Sequence, residues 1–159
     1  MNDTPTPHFE ELNDELVVVF NNVMWIEEAA LKQSYFSDIT LKDMHTIDAI
    51  SMYSEKSASQ VAKMIHLTPS AMTTAIDRLV DKGYIERRRS DKDRRVVRLG
   101  LTHKGRVVYR AHQEFHRDLT HNLLKDMQGS EVETVRRAIH NLVSYLRNVR
   151  NIKGEPWNI

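Results

Sequence analysis

The chain has 159 residues, 40% of them hydrophobic, and a formal net charge of only +1. That length holds about one domain with a real core. It contains no cysteine, which excludes disulfides, thiolate metal sites and thiol redox sensing. The polar, acidic N-terminus shows no signal-peptide pattern and no apolar run is long enough to span a membrane, so a cytoplasmic protein is expected.

The small net charge hides a strong segregation. From Met1 to Leu31 there are seven acidic residues and no Lys or Arg, whereas Ser57 to Arg106 carries twelve Lys/Arg against five Asp/Glu. Uneven charge of this kind bears on partners rather than on fold.

In chain order, Phe9, Leu12, Leu16, Phe20, Val23, Ile26 and Ala30 recur at three- and four-residue steps and predict a long first helix over residues 8–33. Thr40 is placed to cap a second helix carrying Leu41, Met44, Ile47, Ile50 and Met52. Ser57-Ala58-Ser59-Gln60 fits a capping box opening a short helix to about Ile65. After a turn at His66-Leu67, Thr68-Pro69 starts the next helix, with threonine as cap and proline at the first helical position. Its apolar face is Met72, Ala75, Ile76, Leu79 and Val80, and Gly83 ends it.

Two short helices joined by a tight turn form a helix-turn-helix. Tyr84–Arg87 and Val96–Leu99 then read as two strands, with the run RRRSDKDRR spanning the end of the first, the turn and the start of the second. The charge run is thereby the tip of a β-hairpin behind the second helix of the motif. Thr102 is placed to cap a helix running through Val108, Phe115 and Leu119 to about Asp126. Val132, Val135, Ile139, Leu142, Leu146 and Val149 form a coiled-coil-like seam in a last helix with Ser130 at its cap. The fold class expected is mainly α with a small β-hairpin wing, a winged helix-turn-helix over residues 39–101 flanked by long dimerisation helices at 8–33 and 102–150. The terminal stripes could instead pack on the domain's own core.

A charged hairpin tip alone is usually a solvated turn. Behind a capped helix-turn-helix it reads differently. The second helix of the motif turns Ser70, Thr73, Thr74 and Asp77 outward, and small hydroxyl residues near a helix N-terminus suit a major groove. Wing arginines can then reach the adjacent minor groove. No enzyme motif competes. Gln113 follows His112 where a metallohydrolase helix needs glutamate, and neither a Gly-rich phosphate loop nor a nucleophile elbow occurs. A purely architectural DNA-binding dimer would share these features without responding to a ligand.

The segment SASQVAKMIHLTPSAMTTAIDRLVDKGYIERRRSDKDRRVVRLGLTHKG resembles the DNA-binding core of the MarR family, most specifically in LVDKGYIERR, DKDRR and LTHKG. The resemblance implies a homodimer that binds inverted-repeat operators on double-stranded DNA, usually as a repressor. It places DNA contacts on Ser70, Thr73, Thr74, Arg94 and Arg95, with Asp93 bracing the wing arginines. Arg78 belongs to the same set, or alternatively to an intramolecular ion pair. The stretches FNNVMWIEE, DITLKDMHTID and YRAHQEFH are similar to a branch that represses fatty-acid synthesis. That similarity implies acyl-acyl carrier protein as corepressor, with Met24, Trp25, Phe36, Met44, His45 and Phe115 as pocket candidates; each could equally be ordinary core.

A second branch, zinc-responsive repressors of metal-uptake genes, is the alternative. His112 and His116 stand four apart on one helix, a spacing that can present two imidazoles to one metal. Glu27 and His45 match the remaining ligands of that branch by spacing. Its histidine-dense tract and cysteine are missing, and a buried histidine bonded to a carboxylate accounts for the same residues. No cofactor is expected and no metal ligand is assigned.

Overall fold

A computed structural model describes residues 7–53, 55–89 and 97–153. Among them are six helices and one antiparallel hairpin. Two compact units emerge, residues 1–114 and 115–159.

In the first unit α1 (Phe9–Gln33) carries Glu10 and Glu11 in its first turn, where negative charge suits the helix dipole. Its apolar stripe does not pack on the unit's own core. Phe9, Leu12, Leu16, Phe20 and Ile26 stay 41–58% exposed in the single chain, and of the whole helix only Glu27 and Leu31 are buried.

The next three helices begin where their caps require. Thr40 and Asp43 form a reciprocal capping box at α2 (Leu41–Ile50), and Ser57 and Gln60 form another at α3 (Ala58–Ile65). Thr68 accepts from the Ala71 N–H at 3.2 Å to open α4 (Pro69–Asp81). Met52 lies beyond the second helix rather than in it, because the chain leaves the helical region at Ser51, φ +68°. His66 and Gly83, both with positive φ, make the turns after α3 and α4.

Strand β1 (Ile85–Arg89) pairs antiparallel with β2 (Val97–Leu101), Arg87 opposite Leu99. The first strand starts one residue later than expected, and Val96, the expected start of the second, lies outside the described residues. Burial is confined to the base of the hairpin, at Ile85, Leu99, Gly100 and Leu101, while Arg87–Arg89 and Val97 are exposed. The hairpin thus projects from the core as a wing. Lys56 bridges to Leu99 on the other side of β2. The core joins Ile47, Ile50, Val61, Met72, Leu79, Tyr84, Ile85 and Leu99, all 2% exposed or less. Burial of this apolar set is what holds the small helices together.

One junction fixes how the wing meets α5 (His103–Leu123). The Thr102 hydroxyl faces the carbonyls of Gly83 at 2.7 Å and Tyr84 at 3.0 Å, and accepts from the Gly105 N–H at 3.1 Å. Gly105 then passes so close to the Tyr84 carbonyl that a Cβ would sit 2.0 Å from its oxygen. That is the physical content of LTHKG.

The second unit holds the end of α5, a turn with Asp126 at φ +63°, and α6 (Gly129–Lys153). This helix starts ahead of the expected cap. Ser130 is already its second residue, and the Glu131 carboxylate reaches back to the Gln128 N–H at 2.7 Å. Ile139, Val143 and Leu146 are exposed along it. Among the described residues no helix is long and apolar enough to cross a membrane.

Because backbone cannot give way as a side chain tip can, Gly105→Ala should destabilise the protein by about 1–3 kcal/mol. Urea unfolding of the variant checks this, a shift in midpoint being the expected result.

Candidate nucleic-acid interface

The candidate recognition surface is built from α4. Its inner face buries Met72, Ala75, Ile76 and Leu79, which forces Ser70, Thr73, Thr74 and Asp77 outward at helical spacing. The Thr73 hydroxyl donates to the Pro69 carbonyl at 3.0 Å and that of Thr74 to the Ser70 carbonyl at 3.2 Å. Ser70 and Thr68 share a hydroxyl contact at 3.2 Å. The two threonines therefore present methyl groups and acceptor lone pairs outward. The helix itself takes their hydroxyl hydrogens.

Arg78 is on the same helix, but its guanidinium donates to the Asp43 carboxylate. Asp43 is 1% exposed and also accepts from the Thr40 N–H at 3.0 Å and the Thr40 hydroxyl at 2.9 Å. Burial pushes this carboxyl up, yet the hydrogen bonds from Arg78 and Thr40 outweigh it and hold the carboxyl below its ordinary range. One carboxylate thus caps α2 and anchors the recognition helix. Of the two roles open to Arg78, the intramolecular ion pair is the one seen, with the side chain still 43% exposed.

The wing is tied to the same helix, since Arg87 of β1 pairs with Asp77 of α4. Behind them, the Tyr84 hydroxyl donates to Asp38, and Lys104 reaches Asp38 at 3.5 Å while lying 3.9 Å over the Tyr84 ring. Burial and the Asp38 carboxylate hold the Tyr84 hydroxyl protonated far above its ordinary range. Asp93, Arg94 and Arg95 of the wing tip lie outside the described residues.

A second polar cluster lies inside the first unit. The Nε2 of His112 is 3.0 Å from a Glu27 oxygen, and its Nδ1 is 3.3 Å from Asp48. His45 Nε2 stands 3.6 Å from the other Glu27 oxygen. Glu27 and His112 are both buried. Burial alone would lower the His112 pKa, but Asp48 and Glu27 together raise it. Ligand atoms of Glu27, His45 and His112 all lie within 4.8 Å of one another. His116 belongs to the second unit, edge-on to Phe115 at 5.5 Å.

The pocket candidates of the first unit lie in different settings. Met44 is a core residue, and Phe36 packs on that core, edge-on to Tyr84 at 6.2 Å. Met24 and Trp25 are exposed on α1, and Phe115 is half-buried in the second unit. His45 lines a cleft of about 480 Å³ in the first unit, with Lys42 and Asp48 beside it and apolar walls of Ala49, Met64, Ile65 and Leu67. Those four went unrecognised in the sequence, where Leu67 falls in a turn and the other three fall in two short helices with nothing to mark a cleft.

Comparison with known proteins agrees with this architecture. The MarR family profile matches residues 39–97. The multiple antibiotic resistance protein MarR of Escherichia coli is 30% identical over 99 residues, spanning 62% of this chain and 69% of that protein. The chain belongs to the MarR family. It is a DNA-binding transcriptional regulator with a winged helix-turn-helix. A similar solved structure is the crystal structure of Streptococcus pneumoniae FabT in complex with DNA. It superposes with a TM-score of 0.78 at 40% identity, covering 89% of this chain and 99% of that one. The HTH-type regulator YwhA of Bacillus subtilis is 34% identical over 74 residues, 46% of this chain, and the chain spans about half of its length.

The anchoring role of Asp43 sets a pH signature. A depressed carboxyl adds stability above the unfolded-state value of about 3.9, and the gain fades as pH falls through the lower folded value. Asp43→Asn should therefore cost about 1–3 kcal/mol near neutrality, discounted for the solvent around Arg78. Denaturant titrations from pH 7 down to pH 3 should show the gap between wild type and variant narrowing toward the acid end.

Proposed function

We propose that this regulator is a homodimeric repressor of fatty-acid synthesis genes that binds an inverted-repeat operator with acyl-acyl carrier protein as corepressor. The observation carrying this reading is the 40% identity to DNA-bound FabT along nearly the whole chain. Residues 39–101 form the DNA-binding core in this reading, with 8–33 and 102–150 as dimerisation helices. Ser70, Thr73 and Thr74 read the major groove, and Arg94 and Arg95 the minor groove. Exposed Phe9, Leu12, Leu16 and Phe20 support a partner chain on α1, since apolar side chains in such a row favour burial. The cleft beside His45 suits an acyl chain, since Ala49, Met64, Ile65 and Leu67 give it an apolar wall and it is within the roughly 300–1,000 Å³ of small-molecule pockets.

A second reading, a zinc-responsive repressor, has one observation in its favour. Glu27, His45 and His112 converge, and Asp48 faces the far nitrogen of His112 as an outer carboxylate faces a metal-bound imidazole.

Phe20→Glu should shift the protein toward monomer in light scattering, because a charge buried in an apolar interface loses its hydration. An undisturbed dimer would move the interface off α1.

On an operator recovered by in vitro selection, half-site centres should lie about 10 base pairs apart. Affinity should fall with salt at about 0.9 log unit per phosphate contact. Thr73→Glu should cost several kcal/mol through like-charge repulsion, while leaving the melting temperature unchanged.

Acyl-acyl carrier protein should tighten operator binding at least tenfold, with potency rising with chain length, since each buried methylene adds about 0.8 kcal/mol. Met64→Trp, which fills the cleft, should remove that response and spare basal DNA binding. Gel-shift titrations check this. Unchanged affinity with acyl carrier protein, together with a zinc effect that His112→Ala abolishes, would favour the second reading.

A further inference from the structure

A smaller cavity of about 210 Å³ sits at the base of the wing, away from the outward face of α4. We propose that it binds a small oxyanion, a phosphate or a carboxylate, between Arg88 of β1 and Arg106 of α5. Ser51, Tyr53 and Glu55 of the loop after α2 and Gly100 of β2 complete the part of its lining that matters here.

Three observations carry this. Arg106 is half-buried, and its side chain makes no hydrogen bond or ion pair among the described residues. A guanidinium in that position has lost part of its hydration with no hydrogen bond gained among the described residues, and its forked donors match two oxygens of an anion.

Arg88 is seated opposite. Its Nε donates to Glu86 at 3.0 Å. Its guanidinium lies so close over residue 100 that a Cβ there would stand 3.0 Å from Nε and 3.2 Å from Cζ. Glycine at position 100 leaves the space the arginine occupies. Glu86 answers Arg88 and Glu55 stands exposed at the rim, so the charge left uncompensated inside is that of Arg106.

Ser51 adds the third. Its backbone lies at φ +68°, ψ 159°, a conformation that side-chain-bearing residues rarely hold and that concentrates at functional sites. Its hydroxyl oxygen accepts from the Tyr53 N–H at 3.3 Å, which leaves the hydroxyl hydrogen available to an anion.

The volume is below the roughly 300 Å³ at which pockets for drug-sized molecules begin, so the ligand is a single oxyanion group with its water. Such a group would join α5 to the wing strand and restrict the hairpin. The oxyanion has two possible sources, a free ion or a phosphate of the bound DNA.

The experiment is calorimetric titration of the whole protein with inorganic phosphate at constant ionic strength, set beside the salt dependence of operator binding. For a free ion, phosphate should bind wild type. Arg106→Gln should weaken it at least tenfold and Arg106→Lys by less, while Arg110→Gln, one turn along on the exposed side of α5, should leave it unchanged. For a DNA phosphate, free phosphate should give no heat, and Arg106→Gln, but not Arg110→Gln, should reduce the operator salt slope by about 0.9. Melting curves of Arg106→Lys confirm that the fold is kept. No phosphate binding with an unaltered salt slope overturns the proposal, and so does an Arg110→Gln effect equal to that of Arg106→Gln.

Discussion

A single buried carboxylate fixes how the second helix of the helix-turn-helix is mounted on the rest of the fold. Asp43 closes the first turn of α2 through Thr40 and, from the same side chain, holds Arg78 of α4. A carboxylate that is 1% exposed must have its oxygens satisfied, and here the partners come from two helices. The recognition helix is thereby anchored by a charge-assisted bond that is much more directional than the apolar contacts of Met72, Ala75, Ile76 and Leu79. Asp77 extends the anchoring to the wing through Arg87. Helix, wing and the helix behind them form one electrostatically stitched element.

The stitching changes what the basic middle of the chain means. Arginines 78, 87 and 88 all have acidic partners inside the protein. Each of the three is thereby positioned within the protein. The reading face of α4 is correspondingly modest, with methyls and hydroxyl oxygens on threonines whose hydrogens the helix retains. Small groups of this kind let the backbone approach a groove closely, and a rigid mount makes that approach reproducible.

Much of the fold was legible because its signals are local. Thr40, Ser57, Thr68 and Thr102 cap helices as their sequence context predicts, and Gly83 turns the chain after α4. Ser130 was misread because Glu131 supplies a cap to Gln128 instead, and nothing in the spacing favours one over the other. Met52 was misread because the periodic pattern continues past Ile50 while the backbone does not. Long-range facts were not legible at all. That Asp43 meets Arg78, that Asp48 faces His112, or that residue 105 must lack a Cβ beneath the Tyr84 carbonyl depends on segments brought together only by folding. Nor was it legible which apolar residues line a cleft, since those on periodic faces carry no mark of which lines a cleft and which fills the core.

The central claim is that α4 and the wing move and bind as one mounted unit. Hydrogen exchange with and without a selected operator tests it most directly. Exchange should slow together over residues 69–81 and 85–101 when DNA is bound, and α2 around Asp43 should be well protected in both states. Protection by DNA confined to α1 or α6, or an α2 start that exchanges freely before DNA is added, would contradict it.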